Sequence, residues 1–203
     1  MKKSKRIKKS NSWRIKQHRD QYFKKSKTLG YRSRASFKLL EIDKKYRFIK
    51  TDTNLLDLGS CPGGWSQVAS QKITTGRIMS IDIKEMKPVK NVKFIKGDFL
   101  ETTTKNEVKK YFNSYLDVII SDMAADTTGN KSLDSIRTNQ ICANVINFSK
   151  ETLKPKGVLV SKIFMGDDFI EVKNLAKSTF EKINFFKPES SRKESKETYL
   201  HCE

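Results

Sequence analysis

The chain has 203 residues, with 42 Lys and Arg against 23 Asp and Glu, a formal net charge of +19. That length supports one domain with a proper core, and that charge points to a polyanionic partner, because each phosphate neutralised by a cation releases counterions. Three scattered cysteines, Cys61, Cys142 and Cys202, with no Cys-x-x-Cys spacing, exclude a disulfide scaffold and a cysteine-based metal site, and no apolar run approaches a membrane span. A reduced, cytoplasmic protein is expected, monomeric, with no metal and no membrane contact.

The charge is uneven. Residues 1–34 hold 14 Lys or Arg and one acid, Asp20. We therefore divide the chain into a basic, partly disordered arm at 1–27 and a folded domain at 28–203. Residues 1–12 offer almost nothing apolar to pack. Residues 13–27 set Trp13, Ile15, Tyr22 and Phe23 among Arg, Lys and Gln. This pattern suits a helix or extended arm whose aromatics either meet RNA or pin the arm to the domain. Lys24, Lys25, Lys27, Arg32 and Arg34 are the candidate phosphate contacts.

Ser33 to Tyr46 reads as a helix, with Ala35, Phe37, Leu39, Leu40 and Ile42 as its apolar stripe and Ser33 or Ser36 as its cap. Lys38 lies within that stripe, where a lysine ordinarily snorkels to the surface. Leu55, Leu56 and Leu58 then form a short apolar strand, followed by Gly59, Pro62-Gly63-Gly64 and a helix opening at Trp65. Strand, glycine turn and helix make the first unit of a nucleotide-binding α/β fold. The Gly-x-x-x-Gly-Gly spacing is wider than a dinucleotide's pyrophosphate needs and better suits a cofactor without phosphates, such as S-adenosylmethionine. The loop alone leaves an ordinary glycine turn equally open.

Strands are expected at Arg77–Ile83, ending on Asp82, and at Val92–Lys96, running into Gly97-Asp98-Phe99. An acid about 20 residues past the glycine turn suits ribose hydroxyls, and Asp98 stands where an adenine edge would lie. A short helix at 104–113 precedes the strand Leu116–Ser121 and then Asp122, placed at a strand's carboxyl end, where chemistry gathers in open α/β sheets. A long helix follows at 132–153, burying Ile136, Ile141, Val145, Ile146 and Phe148. The strand Gly157–Phe164 carries Lys162 late in a buried run, and lysine is seldom buried without a partner. After a helix at 168–180, two short strands, Lys182–Lys187 and Glu197–Cys202, suggest an antiparallel edge, with Glu197 opening the last. The fold class is thus α/β and Rossmann-like. A mostly parallel seven-stranded sheet would have helices on both faces and an antiparallel C-terminal edge strand, with Asp122 and Lys162 on neighbouring strand ends.

Several stretches together resemble the FtsJ family of 2′-O-ribose RNA methyltransferases. They are Gly30-Tyr31-Arg32-Ser33-Arg34-Ala35-Ser36-Phe37-Lys38-Leu39, Asp57-Leu58-Gly59 with Pro62-Gly63-Gly64-Trp65-Ser66-Gln67, Gly97-Asp98-Phe99, Ser121-Asp122-Met123-Ala124, Lys162-Ile163-Phe164, and Lys187-Pro188-Glu189-Ser190-Ser191-Arg192 with Glu197-Thr198-Tyr199. The resemblance runs in order from about Trp13 to the C-terminus. It implies S-adenosylmethionine bound by Gly63, Trp65, Asp82, Asp98 and Asp122, and a catalytic tetrad of Lys38, Asp122, Lys162 and Glu197. It also implies a substrate in large-subunit ribosomal RNA, a uridine of the A-loop modified late in assembly. Two departures stand out: Ala125 replaces the family's proline, which loosens that loop, and Cys61 replaces a small residue. Lys162 is expected to accept or steer the 2′-hydroxyl proton, either as a neutral base or as a charged orienter. Three rival readings remain at this stage. One is a methyltransferase of the same family acting on transfer RNA or a messenger cap. Another is a non-catalytic ribosome-assembly factor, and the third is a nicotinamide-dependent oxidoreductase, disfavoured by the glycine spacing.

Overall fold

A computed structural model of the chain describes residues 20–166 and 168–203. The anchors Trp13 and Ile15 and the expected disorder of 1–12 lie outside the described residues. The elements follow in order: α1 Gln21–Thr28, α2 Ala35–Tyr46, β1 Leu55–Leu58, α3 Gly64–Lys72, β2 Ile78–Asp82, β3 Lys93–Lys96, α4 Thr102–Phe112, β4 Leu116–Ser121, α5 Lys131–Thr152, β5 Leu153–Phe164, α6 Phe169–Thr179, β6 Ile183–Phe186 and β7 Glu197–Cys202.

The seven strands form one sheet in the order β3-β2-β1-β4-β5-β7-β6. Neighbours from β3 to β5 are parallel, while β7 runs antiparallel to both β5 and β6. The expected antiparallel edge is present as the β6–β7 pair, but the C-terminal strand is not its rim. Every residue of β7 is buried, whereas β6 is only half-buried throughout. A strand carrying Tyr199, Leu200 and Cys202 at 0% exposure needs cover on both faces, so it lies inward.

Side chains alternate across the sheet and feed two cores. One face packs Leu56, Leu58, Ile119, Leu159, Ile163 and Leu200 under α4, α5 and α6. The other packs Leu55, Ile78, Val118, Ile120, Val160 and Tyr199 under α2 and α3. The same period of two that places Val160 and Tyr199 on the α2 face places Lys162 and Glu197 there too, and Lys162 pairs directly with Tyr199 across β5 and β7.

Two local expectations change. Neither serine caps α2: its N-cap is Arg34, with no side-chain hydrogen bond, and the Ser36 hydroxyl instead donates to the Gly64 carbonyl at 3.0 Å. Ile136 is 45% exposed rather than buried. The inward side of α5 at that level is polar, with Asp134, Ser135, Thr138 and Asn139 buried, and Asn139 bonds both to the Phe164 backbone and to Asp168. The first turns of α5 are fastened by hydrogen bonds where the sheet offers no apolar floor.

Candidate active site

The four candidate catalytic residues come from four elements and meet at the carboxyl ends of β4 and β5. Lys38 reaches in from α2, Asp122 directly follows β4, Lys162 stands near the end of β5, and Glu197 opens β7. The Lys162 Nζ lies 2.6 Å from Asp122 Oδ1 and donates to the Asp122 carbonyl at 2.7 Å. Lys38 Nζ is held by both oxygens of Glu197, at 2.8 and 2.9 Å, and lies 3.7 Å from Asp122. Lys162 and Glu197 close the ring at 3.8 Å. Lys38 and Lys162 are each 8% exposed, so Lys38 does not snorkel out of the apolar stripe. Two buried ammoniums are matched by two carboxylates, and each group is also hydrogen-bonded, the condition under which buried charges persist.

Burial pushes the Asp122 carboxyl up, but Lys162 and Lys38 outweigh it and hold it below its ordinary value. Glu197 behaves the same way, with burial opposed and overcome by Lys38 and Lys162. Both acids are therefore ionised at neutral pH. Tyr199 completes the cluster. Its hydroxyl donates to Asp122 Oδ1 at 2.5 Å, and burial, then the charges of Asp122 and Glu197, push its phenol well above the ordinary value, so it remains a donor. Sequence reasoning passed over Tyr199, because an aromatic in a buried strand reads as core.

Beside this cluster lies a cavity of about 460 Å³, walled by Asp82, Asp98 and Asp122 together with Gly59, Met123 and Asn144. It is the right size for a small organic cofactor, and its lining is mostly apolar with a few carboxylates, as such sites require. Asp82 accepts from the backbone N–H groups of Cys61 at 2.7 Å and Lys84 at 2.8 Å, which fixes its carboxylate at the end of β2. Asp98 is fixed by the Leu100 N–H at 2.9 Å. Ile83 and Leu100, 66% and 45% exposed, line the same cavity with Ile141. They are suited to flank an aromatic ring, and only their unexplained exposure would have marked them in the sequence. Gly59 adopts φ +73°, and a Cβ there would come 1.9 Å from Met123 Cγ.

Asp122 also lines a smaller recess of about 170 Å³, with Trp65, Ser33 and Asp57. Trp65 is buried, and its indole N–H donates to the Ala35 carbonyl at 2.8 Å. Gly63 lines neither space. It caps α3 in the left-handed region at φ +99°, and a Cβ there would meet Arg32 and Met86. Ala125 does more than leave a loop loose: its N–H, which a proline would lack, donates to Thr138 Oγ1 at 3.2 Å.

The five candidate phosphate contacts separate into two groups. Lys24, Lys25 and Lys27 are exposed on α1. Arg32 and Arg34 are not free. The Arg32 guanidinium donates to the carbonyls of Pro62, Lys87 and Pro88, and Arg34 pairs with Asp20 and donates to the Ser190 carbonyl. A guanidinium with five donors satisfies several carbonyls at once, so both arginines fasten loops instead of facing solvent. Among the described residues no group of three or more His, Cys, Asp or Glu could hold a metal ion, and no helix is long and apolar enough to cross a membrane.

Residues 31–203 match the model of the FtsJ-like methyltransferase family. The chain belongs to that family. It is 45% identical over 193 residues to the ribosomal RNA large subunit methyltransferase E of Pelagibacter ubique, covering 95% of each chain. Among solved structures it is similar to a Plasmodium falciparum protein assigned as a ribosomal RNA methyltransferase, with TM-score 0.74 and 31% identity over 85% of this chain and 97% of that one. Human methyltransferase-like protein 13, solved with SAH, shares the fold alone, with TM-score 0.59 and 15% identity over 83% of this chain and 79% of that one. This FtsJ-like chain is thus an S-adenosylmethionine-dependent RNA methyltransferase with a Rossmann-like fold. The cavity beside Asp122, with its two fixed carboxylates and apolar lips, fits that cofactor.

Proposed function

We propose that this enzyme methylates a ribose 2′-oxygen of large-subunit (23S) ribosomal RNA, at a uridine of the A-loop, late in subunit assembly and in the cytoplasm, acting as a monomer. The observation that carries the chemistry is the Lys38–Asp122–Lys162–Glu197 ring beside the cofactor-sized cavity. The name of the Pelagibacter relative and the family resemblance supply the substrate.

S-adenosylmethionine supplies a methyl group already activated by a positive sulfur, which leaves alignment and proton handling to the protein. Asp82 is the partner for the cofactor's ribose hydroxyls and Asp98 for the adenine edge, Asp122 borders the reacting end, and Gly63 and Trp65 shape the turn around it. An ammonium has three donor directions. Two of those on Lys162 point to the Asp122 carboxylate and carbonyl, and the third is left for the substrate 2′-oxygen. As the new carbon–oxygen bond forms, the 2′-hydroxyl proton leaves, and Lys162 accepts or steers it. Lys38 and Glu197 hold Asp122 and Lys162 in place. Residues 1–27 act as the RNA-binding arm of the methyltransferase domain 28–203, with Lys24, Lys25 and Lys27 on phosphates, while Arg32 and Arg34 set the loops that frame the cleft.

The test is methyl transfer from labelled S-adenosylmethionine to unmodified large subunits, naked ribosomal RNA and transfer RNA in parallel, with the product position mapped. Label should appear on one 2′-oxygen of the large-subunit RNA. Lys162→Ala should cut turnover by about 10²–10⁴-fold, the usual contribution of a positioned acid–base group, with cofactor affinity intact. Label on transfer RNA alone would replace the substrate assignment. No label with the cofactor demonstrably bound would favour an assembly factor.

A further inference from the structure

Two basic segments far apart in sequence are joined at one residue. Asp20 caps α1, accepting from the Tyr22 and Phe23 N–H groups at 3.0 and 3.2 Å. It is also the ion-pair partner of Arg34 and lies 3.8 Å from Arg192 Nε. Arg34 in turn donates to the Ser190 carbonyl. The lone acid of the first 34 residues therefore ties the basic helix α1 to loop 187–196 between β6 and β7.

That loop is a built ledge. The Glu41 carboxylate accepts from the Glu189 N–H at 2.6 Å and the Ser190 N–H at 3.1 Å. Lys187 folds inward and donates to the carbonyls of Lys193 at 3.3 Å and Ser195 at 2.6 Å. At the far end the Lys196 carbonyl accepts from the Met165 N–H at 3.0 Å, and the next residue is Glu197 of the catalytic ring. Arg192, Lys193 and Lys196 remain exposed on this ledge. We infer that loop 187–196 is a phosphate-binding ledge for the substrate RNA, continuous with α1 through Asp20, which presents Arg192, Lys193 and Lys196 to the strand flanking the target ribose.

The inference rests on the RNA methyltransferase reading and extends it to residues outside the arm. Phosphate contacts fix register without reading sequence, and cations on a loop already fastened at both ends lose little freedom when RNA arrives. A ledge that ends on Glu197 delivers the flanking backbone to the side of the ring where Lys162 waits. An acidic protein partner would use the same charges but would leave RNA affinity untouched.

The experiment compares wild type, Arg192→Ala/Lys193→Ala/Lys196→Ala, and a control of equal charge change, Lys109→Ala/Lys110→Ala/Lys150→Ala, whose residues are exposed on α4 and α5. Equilibrium binding of unmodified large-subunit RNA and methyl transfer to unmodified large subunits are both measured across a series of potassium chloride concentrations. For the ledge variant, the slope of log affinity against log salt should become shallower by about 2, since each single-strand phosphate contact contributes roughly 0.7. The KM for subunits should rise about tenfold, and the dissociation constant for S-adenosylmethionine should not move. The control should keep the wild-type slope. Equal slopes in ledge variant and wild type, equal shifts in ledge variant and control, or loss of cofactor affinity in the ledge variant would each overturn the inference. Absence of methyl transfer by wild type would count against the functional reading alone, because the binding slopes still report on the ledge.

Discussion

Tyr199 sets the state of Asp122 from a position where it touches no cavity wall. Its hydroxyl donates to the carboxylate at 2.5 Å, and Asp122 also pairs with Lys162. A hydrogen bond to a charged acceptor contributes about 1.5–3 kcal/mol. Tyr199→Phe keeps the packing and removes that bond, so the Asp122 carboxyl should rise from its lowered position. The sign follows: an acid that must be ionised titrates later when its pKa is low, so raising it moves the acid limb of the pH–rate profile to higher pH. The rate at neutral pH should fall only modestly, about tenfold or less. A profile with an unmoved acid limb would remove Tyr199 from the site. The same comparison shows what the sequence could disclose at this scale. Lys162 announced itself because a lysine in a buried strand needs a partner, while Tyr199 satisfies the core and the carboxylate at once and leaves no anomaly. Arg32 and Arg34 misled in the opposite direction: a basic stretch looks like a phosphate surface until their carbonyl partners are seen, and those partners lie 30 or more residues away.

The turn between β1 and α3 couples backbone shape to the cofactor cavity. Gly59 is left-handed and pressed against the Met123 side chain, which itself lines the cavity. Gly59→Ala would place a methyl group into Met123, and a flexible thioether yields before backbone does. Met123 should swing toward the cofactor. We expect S-adenosylmethionine affinity to fall at least about tenfold, with strain of order 1–3 kcal/mol at the turn. Titration calorimetry on the folded variant reads the first and chemical denaturation the second. An unchanged cofactor affinity would show that Met123 relaxes elsewhere. This turn, the strand ends and the helix stripes were legible because local signals, apolar alternation and glycine punctuation, agree there with the tertiary answer. The inward position of β7 was not, since a short antiparallel pair reads the same whichever partner is outermost. The polar underside of α5 was hidden too, because Asn139 finds its partners on a strand more than twenty residues later.

Over the whole molecule, the net charge of +19 is a statement about salt. Residues 1–19 carry nine Lys or Arg, and their removal spares Asp20 and its bonds to α1 and Arg34. That deletion should lower the salt slope of RNA binding by up to about 6, at roughly 0.7 per contact, and an unchanged slope would make the arm a bystander. Stability should respond to pH through two buried groups of opposite sign. His201 is 1% exposed, stacked on Tyr46 with centroids 3.9 Å apart and edge-on to Phe48, with Glu203 at 3.8 Å and Lys182 and Lys45 among its charged neighbours. Burial lowers its pKa; the Glu203 charge, which raises it, and the Lys182 charge, which lowers it further, do not reverse that shift. Its folded pKa therefore lies below the unfolded value. The stability it secures is complete above about pH 6.5 and is lost as pH falls toward the folded pKa, about 1 kcal/mol by pH 5.5. Asp57 runs the other way. Burial raises its carboxyl to about 7 despite the 2.6 Å hydrogen bond from Ser66. The folded chain then holds a proton that the unfolded chain has released, and stability grows by about 2 kcal/mol as pH falls from about 7.5 to 5.5. The two effects mask each other in wild type, so the variants carry the test. In urea titrations, Asp57→Asn should leave a chain that weakens on acidification, and His201→Phe one that strengthens more steeply than wild type. A His201→Phe curve parallel to wild type would mean that the imidazole takes up its proton without leaving the Tyr46 stack.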